Sequence, residues 1–517
     1  MKPTRILLSG LFVAMGLIPQ VQAADLKVAL ATPATSLDPL FYVGGSNSAL
    51  ARNIFDPLVI QDEKQGLTPG LALSWHALSD TEWEFKLRPG VRFHDGSPFG
   101  AQDVAASIRR VALAAENSPS SFLQYVKDIK DIKIVDDLTI RFSTASATPL
   151  LPNNLSRISI VPRSEERFTT KQFNDGEGVI GTGPFKFAGW QRDDHVSLTR
   201  NDEYWAGAAH WDKVTLRFVA ADGARVSASL AGDVDVVESI PTPDVSRLKA
   251  DTKLTVVSSP SNRVLYLHPD QDREVSPFAV GPDGKNPLRS PEVRRAMALA
   301  INRKALIERM ADGQGTVAEQ LVPKGYFGWS PNIKPLAYDP EQAKALLKKA
   351  GLENGFKLTF HASNDRYPND AKIAQALGQM WSRVGIQTQI ITLPGSVYFP
   401  QAAKREFSLI MGGAAVETGE ASGILGPLLA TYGPQRGQGN RGRYSNSQFD
   451  QALDQALVTL DDNKRQTLLR EAGEIGMNDL GVIPLFFITN NWALRKGLQY
   501  GGRSDGYTLP YYIHPKQ

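Results

Sequence analysis

The chain has 517 residues, of which 42% are hydrophobic and 21% charged, a balance that excludes a disordered or collagen-like polymer. Its length exceeds what one hydrophobic core serves, since domains cluster near roughly 100–200 residues, so two or three lobes are expected. The formal charge is +3, and Lys2 and Arg5 carry two of those charges, so bulk charge supports neither nucleic-acid nor membrane-surface binding.

The first residues read as a secretory signal. Lys2 and Arg5 precede an almost wholly apolar run, Ile6 to Pro19, and Val21-Gln22-Ala23 supplies small or aliphatic residues at the −3 and −1 positions of a cleavage site before Ala24. The run is shorter than the roughly 20 residues that a spanning helix needs. The sequence contains no cysteine. That removes disulfides, thiolate metal sites, cysteine nucleophiles and the lipid-modified cysteine that would tether an exported protein. A periplasmic protein that is not a lipoprotein is therefore expected.

Strand and helix signals then alternate, which implies an α/β chain. Leu26 to Leu30 reads as a first strand. Thr81 to Leu87 alternates around Trp83 and Phe85, and turns follow at Pro89-Gly90 and Asp95-Gly96. Gln102 to Leu113 reads as a helix. Ile132–Val135 and Leu138–Phe142, joined by Asp136-Asp137, read as a β-hairpin. Arg263 to His268 reads as a strand, followed by a polar, Pro- and Gly-rich stretch from Pro269 to Pro287 that marks a first crossover between lobes. Ser290-Pro291-Glu292 and Asp339-Pro340-Glu341 are helix starts, with a capping side chain before a proline at the first helical position. Gly351 closes the second of these helices, and Gly385 closes another over Ala371–Val384. A strand over Gln387–Thr392 follows, and Gly481–Phe487 would return the chain to the first lobe.

No catalytic motif stands out. Gly178 to Gly183 is glycine-rich but lacks both the G-x-G-x-x-G spacing and the Walker lysine, and neither a G-x-S-x-G elbow nor H-E-x-x-H occurs. The seven histidines, at 76, 94, 195, 210, 268, 361 and 514, are not paired at metal-ligand spacing, and His94 is expected to pack or cap a turn. The chain is expected to be neither an enzyme nor a metal or cofactor carrier, although a metal chelated by a small molecule stays open as cargo.

The segment from Trp83 to Pro98, WEFKLRPGVRFHDGSP, resembles the signature of the family 5 solute-binding proteins, the dipeptide-, oligopeptide- and nickel-binding proteins of ABC importers. Thr35–Pro39, Gly181–Phe185, Asn201–Trp205, Gly232–Asp235, Val293–Ala296, Asp339–Ala343 and Tyr444–Asn446 agree with that family in order, across essentially the whole mature chain. The resemblance implies a two-lobed periplasmic binding protein fold (type II, cluster C) with an extra subdomain in the first lobe. The lobes would be about 24–268 plus 485–517 and about 269–484, with the subdomain within about 57–179. It also implies a monomer that binds a peptide or peptide-like solute and delivers it to membrane permease subunits. Opines, sugars and chelated metals are alternative cargo on the same fold, and a periplasmic hydrolase or chaperone is a reading from another class.

A peptide brings an ammonium and a carboxylate, and each needs an opposite charge if it is buried. By resemblance to the dipeptide binders, Glu417 is the candidate for the ammonium, with Glu420 as runner-up; a pair of solvated loop carboxylates is the alternative. The residue after Gly412 is Gly413, where the family usually has tryptophan, so the dipeptide geometry departs here. Arg366 is the matching candidate for the carboxylate, against an ion pair with Asp365 or Asp370. Tyr367 offers stacking or hydrogen bonding, or else core packing. Arg441 is a second basic candidate or a surface-loop residue. Tyr42 and Ser46 offer a hydroxyl and loop N–H groups to the cleft, or a plain turn. The processing signal makes the first test: N-terminal sequencing of the exported protein should begin at Ala24 or one residue later, and a protein still beginning at Met1 would contradict it.

Overall fold

The computed structural model describes residues 24–434 and 436–516, so the expected signal segment lies outside it. Its backbone is a mixed sheet of twelve strands that runs through both halves of the molecule. In the first half Asp25–Leu30 lies parallel to both Lys213–Phe218 and Val236–Val237, and the hairpin Phe185–Gln191/His195–Arg200 extends that edge. In the second half Lys357–Ser363 lies parallel to Gln387–Leu393 and Leu409–Ala415. Helices alternate with these strands, as the sequence pattern requires.

Two long strands join the halves. Leu254–Pro269 and Ile483–Arg495 pair antiparallel, but their ladder has two sections. Leu254–Pro260 pairs with Thr489–Arg495, the register breaks between Pro260 and Val264, and pairing resumes between Val264–Leu267 and Ile483–Phe487. The first section adds Trp492 and Leu494 to the core around Val28, Phe185 and Val214. The second adds Leu265, Leu267, Ile483 and Leu485 to the core around Phe360, Leu377 and Trp381. One strand pair thus belongs to two cores. The expected strand Arg263–His268 is the second section of a 16-residue strand, and the register break falls a few residues before the expected boundary at 268.

Residues within 57–179 build a separate small core. Ala72–Ser79, Glu82–Leu87, Thr139–Thr144 and Ile129–Asp136 form a four-stranded antiparallel sheet. The helix Ala101–Ala114 packs Val104, Ile108 and Val111 on it, and Phe85 meets Phe142 edge to face at 5.4 Å. The helix starts read from sequence form as capped ends: Ser290 Oγ accepts from Val293 N at 3.3 Å and Asp339 Oδ1 from Gln342 N at 2.8 Å.

Several motif residues serve structure. Asp56 is buried and accepts from Thr182, Tyr204 and Trp205, so two distant motifs converge on one carboxylate, whose pKa burial raises. His94 contacts the Gly183 carbonyl at 3.0 Å, and burial lowers its pKa to about 4, so it packs against a turn as a neutral ring. Asp38 and Arg110 form a bidentate pair at 2.8 and 2.7 Å with both side chains fully buried, and Thr170 donates to the same carboxylate. The pair ties the 36–40 segment to the subdomain helix. Breaking a buried pair leaves a charge without a partner. Asp38→Ala should therefore lower unfolding free energy in urea by about 3–5 kcal/mol, and an unchanged midpoint would refute this role.

Candidate functional site

The two lobes face each other across a cavity of about 490 Å³. Its walls come from chain segments that leave the carboxyl ends of strands, where open α/β sheets place their ligands. From the first lobe, Val236–Val237 leads into Ser239–Pro243. From the second, Lys357–Ser363 leads into Asn364–Asn369. The crossing strands supply Arg263 and Thr489–Asn491. Thr242 bridges the lobes beside the cavity, donating to Asp312 at 2.7 Å and accepting from Asn369 at 3.0 Å.

Arg366 lines this cavity and is exposed to it. Its loop is shaped by Asp370, which accepts from Ser363 Oγ at 2.7 Å and from the backbone N–H groups of Arg366 and Tyr367. Asp365 accepts from Gly395 N at 2.7 Å. Neither aspartate pairs with Arg366, so the ion-pair alternative is not what forms. The guanidinium instead lies 5.3 Å from the Tyr367 ring centroid, and its side chain makes no hydrogen bond among the described residues. Tyr367 also lines the cavity but is mostly buried and packs in the second-lobe core, as its packing reading expected. Its hydroxyl accepts from Gly413 N at 2.8 Å.

Glu417 sits on the other lobe-to-lobe contact. Its side chain is 46% exposed, and its carboxylate lies 3.6 Å from Arg157 and 3.5 Å from the Tyr125 hydroxyl. Its carbonyl accepts from Gln61 at 2.9 Å, and Asn153 donates to the Thr418 carbonyl at 2.7 Å. The loop therefore docks on the first-lobe subdomain. Glu417 is outside the cavity wall, but its charge reaches Arg263 and favours that residue's protonated form.

Glu420 is corrected as a ligand candidate. It is buried, and its carboxylate is held by Arg465 and Ser422. Burial raises its pKa, and the Arg465 charge opposes that. Arg441, Tyr42 and Ser46 are also absent from the cavity wall. Arg441 gives its carbonyl to Arg405, and its charge acts on the buried His268, whose pKa burial and Arg441 together lower to about 3. Tyr42 folds over Gly44, where a Cβ would lie 2.3 Å from the ring, and Ser46 lies in the first turn of the helix Gly45–Ile54.

Sequence reasoning missed Arg263. It stands opposite Ala415, two residues before Glu417, and it lines the cavity. A charged residue leading directly into the apolar run Val264–Leu267 was the available signal. Arg157 and Tyr125 were missed as well, because they come from the subdomain and meet Glu417 only through the fold.

The Gly413 departure has a structural counterpart. A Cβ there would lie 2.7 and 2.9 Å from two Tyr367 ring atoms and 3.0 Å from Leu265. Tyr367 occupies the space that a larger side chain would need. Overpacking of this kind costs about 1–3 kcal/mol. Gly413→Ala should thus reduce stability by that amount in chemical denaturation and cost less when made in a Tyr367→Ala background than in the parent; a single variant as stable as the parent would contradict the packing.

The chain matches the family model described as "Bacterial extracellular solute-binding proteins, family 5 Middle" over residues 66–435. It is 31% identical over 476 residues to the glutathione-binding protein GsiB of Pectobacterium atrosepticum, covering 90% of this chain and 88% of that one. It is 29% identical over 511 residues to the dipeptide-binding protein of Escherichia coli, covering 93% and 92%. Among solved structures, the periplasmic binding protein DppA of Helicobacter pylori, in complex with the peptide STSA, superposes with a TM-score of 0.74 at 25% identity, covering 96% of this chain and 99% of that one. HbpA2 of Haemophilus parasuis superposes at 0.80 and 23%, covering 95% and 100%. The chain belongs to family 5 of the bacterial extracellular solute-binding proteins.

Proposed function

We propose that the chain is the periplasmic receptor of an ABC importer, capturing a peptide or peptide-like solute between its lobes and passing it to membrane permease subunits. The observation that carries the reading is the interlobe cavity with Arg366 presented to it, its guanidinium without an ion pair among the described residues. Its volume of about 490 Å³ falls within the roughly 300–1,000 Å³ of small-ligand pockets. Arg366 receives the solute carboxylate. Glu417, a half-exposed carboxylate beyond the cavity wall on the same lobe as Arg366, receives the ammonium of a solute that extends past Arg263, displacing its long contact with Arg157. The glutathione-binding and dipeptide-binding relatives support small peptides as the cargo class, since glutathione and dipeptides both carry these two groups. Capture needs no bond making, so the solute should leave unchanged.

Titration calorimetry with dipeptides and glutathione tests the charge assignment. Truncating one member of a desolvated charge pair costs about 2–5 kcal/mol. Glu417 is half exposed, so the low end applies, roughly 30-fold in affinity. Glu417→Gln and Arg366→Gln should each weaken binding by about that factor. N-acetylation of the ligand should weaken the parent protein and leave the Glu417→Gln variant nearly unaffected. Equal binding of the free amine by parent and Glu417→Gln would overturn the ammonium assignment, and chemically altered peptide after incubation would overturn the receptor reading.

A further inference from the structure

We infer that the interlobe cavity selects ligands with a second carboxylate in addition to the one Arg366 receives, and that Arg263 binds it. The inference rests on the peptide-receptor reading and narrows its ligand class to acidic peptides.

Five charged side chains line the cavity: Asp222, Arg225, Arg263, Asp365 and Arg366. Arg225 and Asp222 pair with each other at 2.5 Å, and Arg225 donates further to the carbonyls of Val219, Ala220 and Ser239. Asp365 accepts from Gly395 N and forms no ion pair among the described residues. Arg263 and Arg366 are therefore left as two guanidiniums whose side chains make neither a hydrogen bond nor an ion pair among the described residues. Arg263 is the more enclosed of the two, half-buried where Arg366 is exposed. Removing a guanidinium from water without a counter-charge is costly, and a second cation nearby adds to the cost. Burial and the Arg366 charge both lower the Arg263 pKa, and the Glu417 charge opposes them without forming an ion pair among the described residues.

The two cations also differ in support. Arg366 is on a loop, whereas Arg263 is on the strand that crosses between the lobes, held opposite Ala415 in the ladder. A charge on a strand is placed more rigidly than one on a loop, which suits it to discriminate between ligands. A guanidinium also presents a fork that matches a carboxylate bidentately. A neutral peptide fills only the Arg366 position and leaves Arg263 desolvated and unpaired. An acidic peptide neutralises both.

The test is titration calorimetry with two matched pairs of probes: Ala-Glu against Ala-Gln, and glutathione against its glycinamide. The parent should favour the acidic member of at least one pair by roughly 10-fold or more, the range of a charge-assisted hydrogen bond. Arg263→Met keeps the apolar stem and removes the charge. It should reduce the preference to within about 2-fold. Arg263→Lys should retain most of the preference, which separates lost charge from lost fold. If the parent binds both members of each pair equally, or Arg263→Met keeps the preference, the inference fails and the peptide-receptor reading stands. If the parent binds none of the four probes, both fail.

Discussion

The crossing of two strands between two cores constrains everything else in this molecule. Leu254–Pro269 and Ile483–Arg495 are paired along most of their length, so the lobes cannot separate without breaking a ladder, and the register break at Pro260–Val264 is where the proposed receptor function would place its hinge. Away from these strands, the lobe contacts are mostly polar: Thr242 with Asp312 and Asn369, Gln61, Arg157 and Tyr125 with Glu417, Asn153 with Thr418, and Tyr326 with Ser504, with Leu460 packed on the subdomain core. Such polar contacts exchange readily with water and each contributes little net free energy. A paired hinge with weak latches is the physical basis for hinge closure around a ligand.

The same crossing positions the chemistry. Arg263 lies within the register break and is paired only on its other side, Glu417 follows the strand paired with it there, and Arg366 follows the next strand in the sheet order. The charges that would read a ligand thus radiate from the hinge and belong mainly to the second lobe. The first lobe contributes backbone and hydroxyl groups around Ser239–Pro243 and, through its subdomain, the Tyr125 and Arg157 that steady Glu417. Under the proposed function, closure would bring these two sets together, and a ligand would shift the equilibrium only by binding the closed arrangement more tightly than the open one.

Local features of this fold were legible in the sequence because their causes are local. Ser290 and Asp339 cap the helices that they precede, and the hairpin at Asp136-Asp137 forms within a few residues of chain. The site was only half legible, because its meaning is set by distant partners. Glu417 and Glu420 are three residues apart and look alike in sequence. Arg465 takes one into a buried pair, while the other stays half exposed at the lobe contact. The departure at Gly413 could be seen in the sequence, but not that Tyr367 from another loop fills the space. Arg263 was hidden because a strand's first charged residue reads as an edge, and only the packing shows that it faces a cavity.

Small-angle X-ray scattering with and without a saturating solute that raises the melting temperature tests the hinge most directly. The account predicts a smaller radius of gyration in the bound state, because the ligand engages the second-lobe charges and the first-lobe backbone and hydroxyl groups at once and so holds the latches closed. An unchanged radius under saturating solute would contradict it.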